Sequence, residues 1–297
     1  MSRAHSISTR RAYGVQRTCR VWSRPRSSVY AKRRATRLSA PLRRRGPVGA
    51  APDDVLVAHI RRVLEASPFH GEGYRKAWAK LRVEGIRTSK ERVRRLMREH
   101  GLQAPHRAGH AHGPKAHDGT ITTETPDVMW GTDMTATVTV GEGSAFVFVA
   151  VDHCTTECIG LHAAKSGSRF EALEPIRQGV RERFGGIAKG VARGLRLRHD
   201  HGSNYLADDF QQEVDFFGVE SSPSFVREPE GNGVAERFIR TLKENFLWVR
   251  SFETIEQLRL ALLEFKQTYN EQWMLEKFDY RSPAQARRDL VDLDAAA

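Results

Sequence analysis

The feature that most limits what this chain can fold into is a change of apolar rhythm near Val128. Before it, apolar residues recur at helical spacing. Leu56, Ile60, Val63 and Leu64 fall at i, i+4, i+7 and i+8, and Tyr74, Ala77, Trp78 and Leu81 at i, i+3, i+4 and i+7. Val93, Leu96 and Met97 form a third stripe. After it the period drops to two. Trp130–Val140, Ala145–Asp152 and Ile159–Ala163 read as three successive strands, the first two joined by a tight turn at Gly141–Gly143. A helix over Phe170–Phe184, a fourth strand over Leu195–His199, a helix over Asp208–Phe217 and a fifth strand over Val219–Ser222 follow, with helix from Gly233 onward. Three antiparallel strands followed by alternating helices and strands predict an α/β fold: a mixed five-stranded sheet with flanking helices, preceded by a small all-α unit.

Two stretches rich in Pro and Gly, Ser39–Pro52 and Pro105–Thr125, break the chain. The expected organisation is therefore a basic arm over 1–50, a helical unit over 53–104, a linker over 105–125 and the mixed core over 126–290. In the helical unit, Thr88-x-x-Glu91 fits a capping box at the start of the third helix and Gly101 fits its stop. The outer face of that helix carries Arg92, Arg94, Arg95 and Arg98. Three short helices with tight turns suit a helix-turn-helix that lays its Arg-rich helix in the major groove of DNA.

Charge supports that division. Of 48 Lys and Arg and 36 Asp and Glu, residues 1–118 hold 28 and 8, a net of +20; residues 119–297 hold the other 20 and 28, a net of −8. The first fifty residues carry 14 basic side chains and no acidic one. A polyanion is the natural partner of such a front half, and nucleic acid the commonest, since each neutralised phosphate releases counterions. A solvated basic tail or an organelle transit peptide also fits the first forty residues. The longest apolar run, Ala145–Val151, is far too short to cross a bilayer, and the first thirty residues lack the apolar segment of a secretory signal. Three cysteines, Cys19, Cys154 and Cys158, are too few for a disulfide scaffold and suit a reducing cytosol. Cys154-x3-Cys158 reads as a pair of small core residues rather than a metal site.

Three carboxylates stand out in the core. Asp133 interrupts the first strand, Asp200 lies immediately past the fourth, and Glu236 sits near the start of a helix whose apolar stripe is Ile239, Leu242, Phe246 and Val249. If the strands carrying Asp133 and Asp200 are neighbours, their carboxylates converge at one end of the sheet, with Glu236 facing them. Clustered carboxylates raise one another's pKa unless a cation neutralises them. Oxygen ligands suit Mg²⁺ or Mn²⁺, and two such ions can serve an in-line phosphoryl displacement. Asp152, at the end of the second strand, is either a fourth carboxylate or a turn residue. His199 and His201 flank Asp200, where they would tune it, touch DNA or simply be solvated. Trp130 and Trp248 are expected in the core, with base stacking as the alternative.

Two segments carry a resemblance. GYRKAWAKLRVEGIRTSKERVRRLMREHGL resembles the helix-turn-helix module of IS3-type insertion-sequence transposases, and GNGVAERFIRTLKENF resembles their Glu-bearing helix. The likeness runs from about Gly73 to Ala286 and implies a ribonuclease-H-like catalytic core of the DDE kind, shared with retroviral-type integrases. It implies Asp133, Asp200 and Glu236 as catalytic, metal-binding residues, with two Mg²⁺ or Mn²⁺ ions as cofactors. It implies Lys243, seven positions after Glu236, as a DNA contact; Arg240, on the same helix, is taken as another. The family often has Ser before its second Asp and Arg after it, where this chain has His199 and His201. No His/Cys module like that of retroviral integrases is found in the sequence.

The function this implies is metal-dependent DNA cleavage and strand transfer at the ends of an insertion element, by a polynucleotidyl transferase. Its partners would be double-stranded DNA, both terminal repeats and target, and further copies of the chain assembled on that DNA, with no membrane and a bacterial cytosolic location. Two alternatives share the same organisation: a helix-turn-helix regulator with an inactive ribonuclease-H-like half, and a nuclease that cuts without joining.

Overall fold

A computed structural model describes residues 4–37, 51–105, 121–224 and 232–296, which leaves most of both expected linkers outside the described residues. The chain divides into two compact units, Met1–Ala51 and Pro52–Ala297. The first contains α1 (Gly14–Val21) and α2 (Arg26–Arg37), with an antiparallel bridge from His5 to Ala12. Cys19 is its one buried side chain among the described residues.

The second unit opens with the three expected helices, α3 (Asp53–Glu65), α4 (Tyr74–Val83) and α5 (Lys90–Glu99). Their stripes meet as read: Leu56, Ile60, Val63, Ala77, Leu81, Val93, Leu96 and Met97 are buried together, with Leu64, Tyr74 and Trp78 partly buried beside them. The start of α5 differs from the expectation by one residue. Ser89, not Thr88, is the N-cap, its hydroxyl accepting from Arg92 N at 3.2 Å. The Thr88 carbonyl is engaged elsewhere, accepting the indole N–H of Trp78 at 2.8 Å.

The sheet comprises β1 (Met129–Thr139), β2 (Gly143–Asp152), β3 (Cys158–Ala164), β4 (Arg196–His199) and β5 (Glu220–Pro223). Its order is β3-β2-β1-β4-β5, with β1, β2 and β3 antiparallel and β4 and β5 parallel to β1. This is the mixed, ribonuclease-H-like sheet expected, flanked by α6 (Arg169–Phe184), α7 (Ser203–Leu206), α8 (Asp208–Phe216), α9 (Gly233–Leu242), α10 (Ile255–Gln272) and α11 (Pro283–Ala296). The apolar run in β2 is explained by cover on both faces. Val147, Val149 and Val151 pack with Phe238, Leu242, Leu258 and Leu262 of α9 and α10. Phe148 and Ala150 pack with Leu173, Ile176 and Phe210 of α6 and α8. Gly160 lets α6 sit close on β3, since a Cβ there would meet the Pro175 backbone.

The helical module is docked on this core. Phe69, in the α3–α4 connection, is buried in the apolar cluster of α9 and α10 and meets Trp273 edge-on, ring centroids 4.9 Å apart. His70 N donates to Asn245 Oδ1 at 3.0 Å. Arg75 pairs with Glu276 at 2.5 Å, and the rings of Trp78 and Tyr280 lie 5.6 Å apart.

Candidate active site

β1 and β4 are parallel neighbours, with Gly131 opposite Arg198. Carrying that register on by two residues brings Asp133 level with Asp200, just past the end of β4. Asp133 lies opposite Val149 on β2 and is half-buried, and its Oδ1 accepts from Met134 N at 2.7 Å. Asp200 is exposed, and its Oδ1 accepts from Gly202 N at 2.8 Å, folding the chain into the start of α7. Glu236 lies in the first turn of α9, which packs on β1 and β2 through Val234, Phe238 and Leu242.

The electrostatics tie the three together. Burial pushes the Asp133 carboxyl up to about 6, and the charges of Asp200 and Glu236 push the same way; the Met134 N–H and the Lys243 ammonium oppose them. Desolvation also raises Glu236, against the Arg240 guanidinium. Tyr205, buried beneath this end of the sheet, is held in its protonated form by burial and by the charges of Asp133 and Asp200. Among the described residues no three His, Cys, Asp or Glu side chains form a ready-made metal cage. What the site offers is an all-oxygen donor set with surplus negative charge, the chemistry that suits a hard divalent cation.

Lys243 follows α9 and opens a π-helical turn, Lys243–Leu247, in which Trp248 N donates to the Lys243 carbonyl at 3.0 Å. Such turns recur at functional sites because they rotate side chains off the helical register. Arg240 is exposed one turn after Glu236. The other DNA candidates divide. Arg92 Nε and Arg95 Nη2 both donate to Asp53, at 2.8 and 2.7 Å, and Arg95 also pairs with Glu99 at 2.7 Å. Arg94 and Arg98 are exposed, Arg94 lying 3.5 Å from Glu91.

Several secondary expectations are settled by position. Asp152 is wholly buried and serves its turn, accepting from Asp127 N, Thr155 N and Thr155 Oγ1. It lies opposite Trp130, three residues from the Asp133 pairing. His199 is enclosed: its Nδ1 meets the Asp200 carbonyl at 2.7 Å, its Nε2 meets Ser221 Oγ at 2.8 Å, and burial lowers its pKa. It joins β4 to β5, whereas His201 is exposed. Cys154 and Cys158 are free and buried, and burial pushes the Cys154 thiol up to about 11. Trp130 is in the core, but Trp248 is 60% exposed, because the π turn carries it outward. Sequence reasoning missed Asn232, whose Nδ2 donates to the Thr132 carbonyl at 2.9 Å. A polar residue at the head of a strongly apolar helix was the available signal.

Comparison with known proteins places likenesses on both parts of the chain. The HTH-like domain family matches residues 51–109, and the integrase core domain family matches residues 217–283. "Transposase InsD for insertion element IS2A/D/F/H/I/K" of Escherichia coli is 27% identical over 241 residues, covering 79% of this chain and 78% of that protein. "Transposase InsD for insertion element IS2 on F plasmid" of Escherichia coli (strain K12) matches to the same extent. Among solved structures, the HTLV-2 integrase catalytic core domain in complex with magnesium (trimeric form) has a TM-score of 0.42 at 17% identity, covering 55% of this chain and 97% of that one. The resemblance to IS3-type transposases read from the sequence thus holds in the helical module and in the core.

Proposed function

We propose, from this likeness to insertion-element transposases, that the chain acts in DNA transposition as a metal-dependent polynucleotidyl transferase, cutting element ends and joining them to target DNA. The observation that carries the reading is the shared level of Asp133 on β1 and Asp200 just past the end of the neighbouring parallel strand β4, with Glu236 close enough to raise Asp133. A cluster of like charges on rigid elements is costly for folding alone and is the usual mark of a functional site.

Asp133, Asp200 and Glu236 would hold the divalent ions. Bound there, Mg²⁺ or Mn²⁺ supplies activation of the attacking oxygen and stabilisation of the leaving one. The protein's own groups do the rest. β1 and β4 fix two of the carboxylates, α9 brings the third, and Lys243 supplies a positive charge at the same end of the sheet for a DNA phosphate. Arg240 extends that charge along the helix, while α5 presents Arg94 and Arg98 to duplex DNA. Copies of the chain would assemble on the two ends of the element.

The test is incubation of purified protein with labelled duplex carrying the element's ends, with and without Mg²⁺. Joined products support strand transfer, cut but unjoined ends a nuclease, and a mobility shift alone a regulator. Asp133→Asn, Asp200→Asn and Glu236→Gln should each abolish cleavage while leaving end binding nearly unchanged. Near-normal strand transfer by any one would remove that residue from the site.

A further inference from the structure

The helix that carries Glu236 begins at a side chain the chemistry above leaves unused. Asn232, directly before α9, is 4% exposed and does not cap the helix with its side chain. This is unusual for an Asn at a helix start, where the side-chain oxygen ordinarily accepts a backbone N–H. Its Nδ2 instead donates to the carbonyl of Thr132, the residue before Asp133. That carbonyl lies just past Gly131 and Arg198, where the pairing of β1 with β4 ends. The amide thus ties the first turn of the Glu236 helix to the peptide beside Asp133.

Packing around the amide leaves it little choice. A Cβ on Gly131 would lie 2.8 Å from Asn232 Oδ1 and 2.7 Å from His153 Nε2, so the bare Cα at 131 is what admits the amide. His153 is wholly buried, and its Nδ1 meets the Ile121 carbonyl at 2.8 Å, which fixes the ring over Gly131. Asn232 Oδ1 has no hydrogen-bond partner among the described residues. The polar hold of this side chain on β1 therefore runs through one N–H. Glu236 lies four residues on, about 6 Å along the axis. At that distance a displacement of the helix start reaches the Glu236 carboxylate almost undiminished, while Asp133 stays with its strand.

We propose that Asn232 is a positioning residue: its amide sets the separation of Glu236 from Asp133 at which both bind one divalent cation. This rests on the reading of the three carboxylates given under Proposed function.

The experiment uses the full chain with Asn232→Ala, Asn232→Leu (similar volume, no donor) and Gly131→Ala, beside Glu236→Gln. Two responses to Mn²⁺ are followed: the rise in Tm on titrating the metal alone, and the rate of end cleavage. Outer groups that orient metal ligands typically change metal affinity by about 10–100-fold when removed. The half-effective Mn²⁺ concentration should therefore rise about tenfold or more in both responses. Cleavage should partly recover at saturating Mn²⁺, with end-DNA binding unchanged. A half-effective Mn²⁺ equal to that of the parent, or a cleavage defect of the same size at every Mn²⁺ concentration, would overturn the proposal and leave Asn232 a purely structural residue. If Asn232→Ala does not fold, Asn232→Leu and Gly131→Ala carry the same comparison. Retained Mn²⁺ response and cleavage in Glu236→Gln would instead bring down the carboxylate assignment, and this inference with it.

Discussion

Replacement of Phe69 by Ala should detach the helical module from the core without unfolding the module. Phe69 is 4% exposed and belongs to the cluster that includes Phe238, Leu242 and Phe246, with Trp273 edge-on to its ring. Truncating a Phe in such a setting costs about 3–5 kcal/mol, of which the ring pair accounts for about 0.5–1.5 kcal/mol. The other joints are weaker. An exposed pair such as Arg75–Glu276 contributes little because solvent screens it, and the His70–Asn245 hydrogen bond contributes about 1 kcal/mol. Phe69 is therefore the largest single contributor, and a loss of about 3 kcal/mol shifts the docking equilibrium more than a hundredfold. The module's own core, centred on Leu56, Ile60, Leu81 and Leu96, is untouched. Hydrogen exchange should show lost protection at His70 N and in the Lys243–Leu247 turn, while α3, α4 and α5 stay protected; urea unfolding should split into two steps. A single urea transition within 1 kcal/mol of the parent, with His70 still protected, would refute the reasoning.

Other expectations concern charge. The Arg95 and Arg92 guanidiniums hold the Asp53 carboxyl at about 2, below its ordinary 3.8. A depressed carboxylate contributes stability that is complete above the ordinary value and lost as pH falls through the depressed one. Melting temperature should thus drop between pH 4 and 2 by more in the parent than in Asp53→Asn, and parallel curves would contradict the ion pair. Because Arg95 is committed to Asp53 and Glu99, Arg95→Ala should lower stability more than DNA affinity, whereas Arg98→Ala should weaken end-DNA binding with little change in Tm; fluorescence anisotropy and thermal melts on the same samples decide it. Lys243→Ala should slow strand transfer and leave the fold intact, with Lys243→Arg retaining part of the rate; wild-type strand transfer by Lys243→Ala would show the ammonium to be dispensable.

What could be read in advance depended on how far apart the interacting residues lie. Strands and helices announced themselves through local periodicity, and β2 in particular through seven apolar residues that only cover on both faces would permit. The three carboxylates stood out because Asp133 interrupts a strand, Asp200 follows the end of one, and Glu236 opens a helix beside its apolar stripe. Neighbouring positions of β1 and β4 then put Asp133 and Asp200 at one level. Interactions across long separations were not legible. Nothing local to α5 says that Asp53 will take up Arg92 and Arg95, and those arginines look from the sequence like their exposed neighbours Arg94 and Arg98. Trp248 reads as a core aromatic until the π turn rotates it outward. Nothing local to Asn232 says that its amide turns to β1 instead of capping α9.

The seating of Phe69 and His70 also bears on how the helical module could be exchanged for another. These two residues lie in the connection between α3 and α4, outside α5, and help fasten the module to the Glu236 helix and the turn that follows it. A graft that transplanted only the outward face of α5 would keep the socket filled. A graft of all three helices with a foreign connection would leave an empty socket among Phe238, Phe246 and Trp273, and an unanswered Asn245 side-chain amide oxygen. If α5 is the DNA-reading helix, as proposed, new sequence preferences would be reached by rewriting it in place, and a whole-module swap would need a newcomer with an aromatic plug of its own.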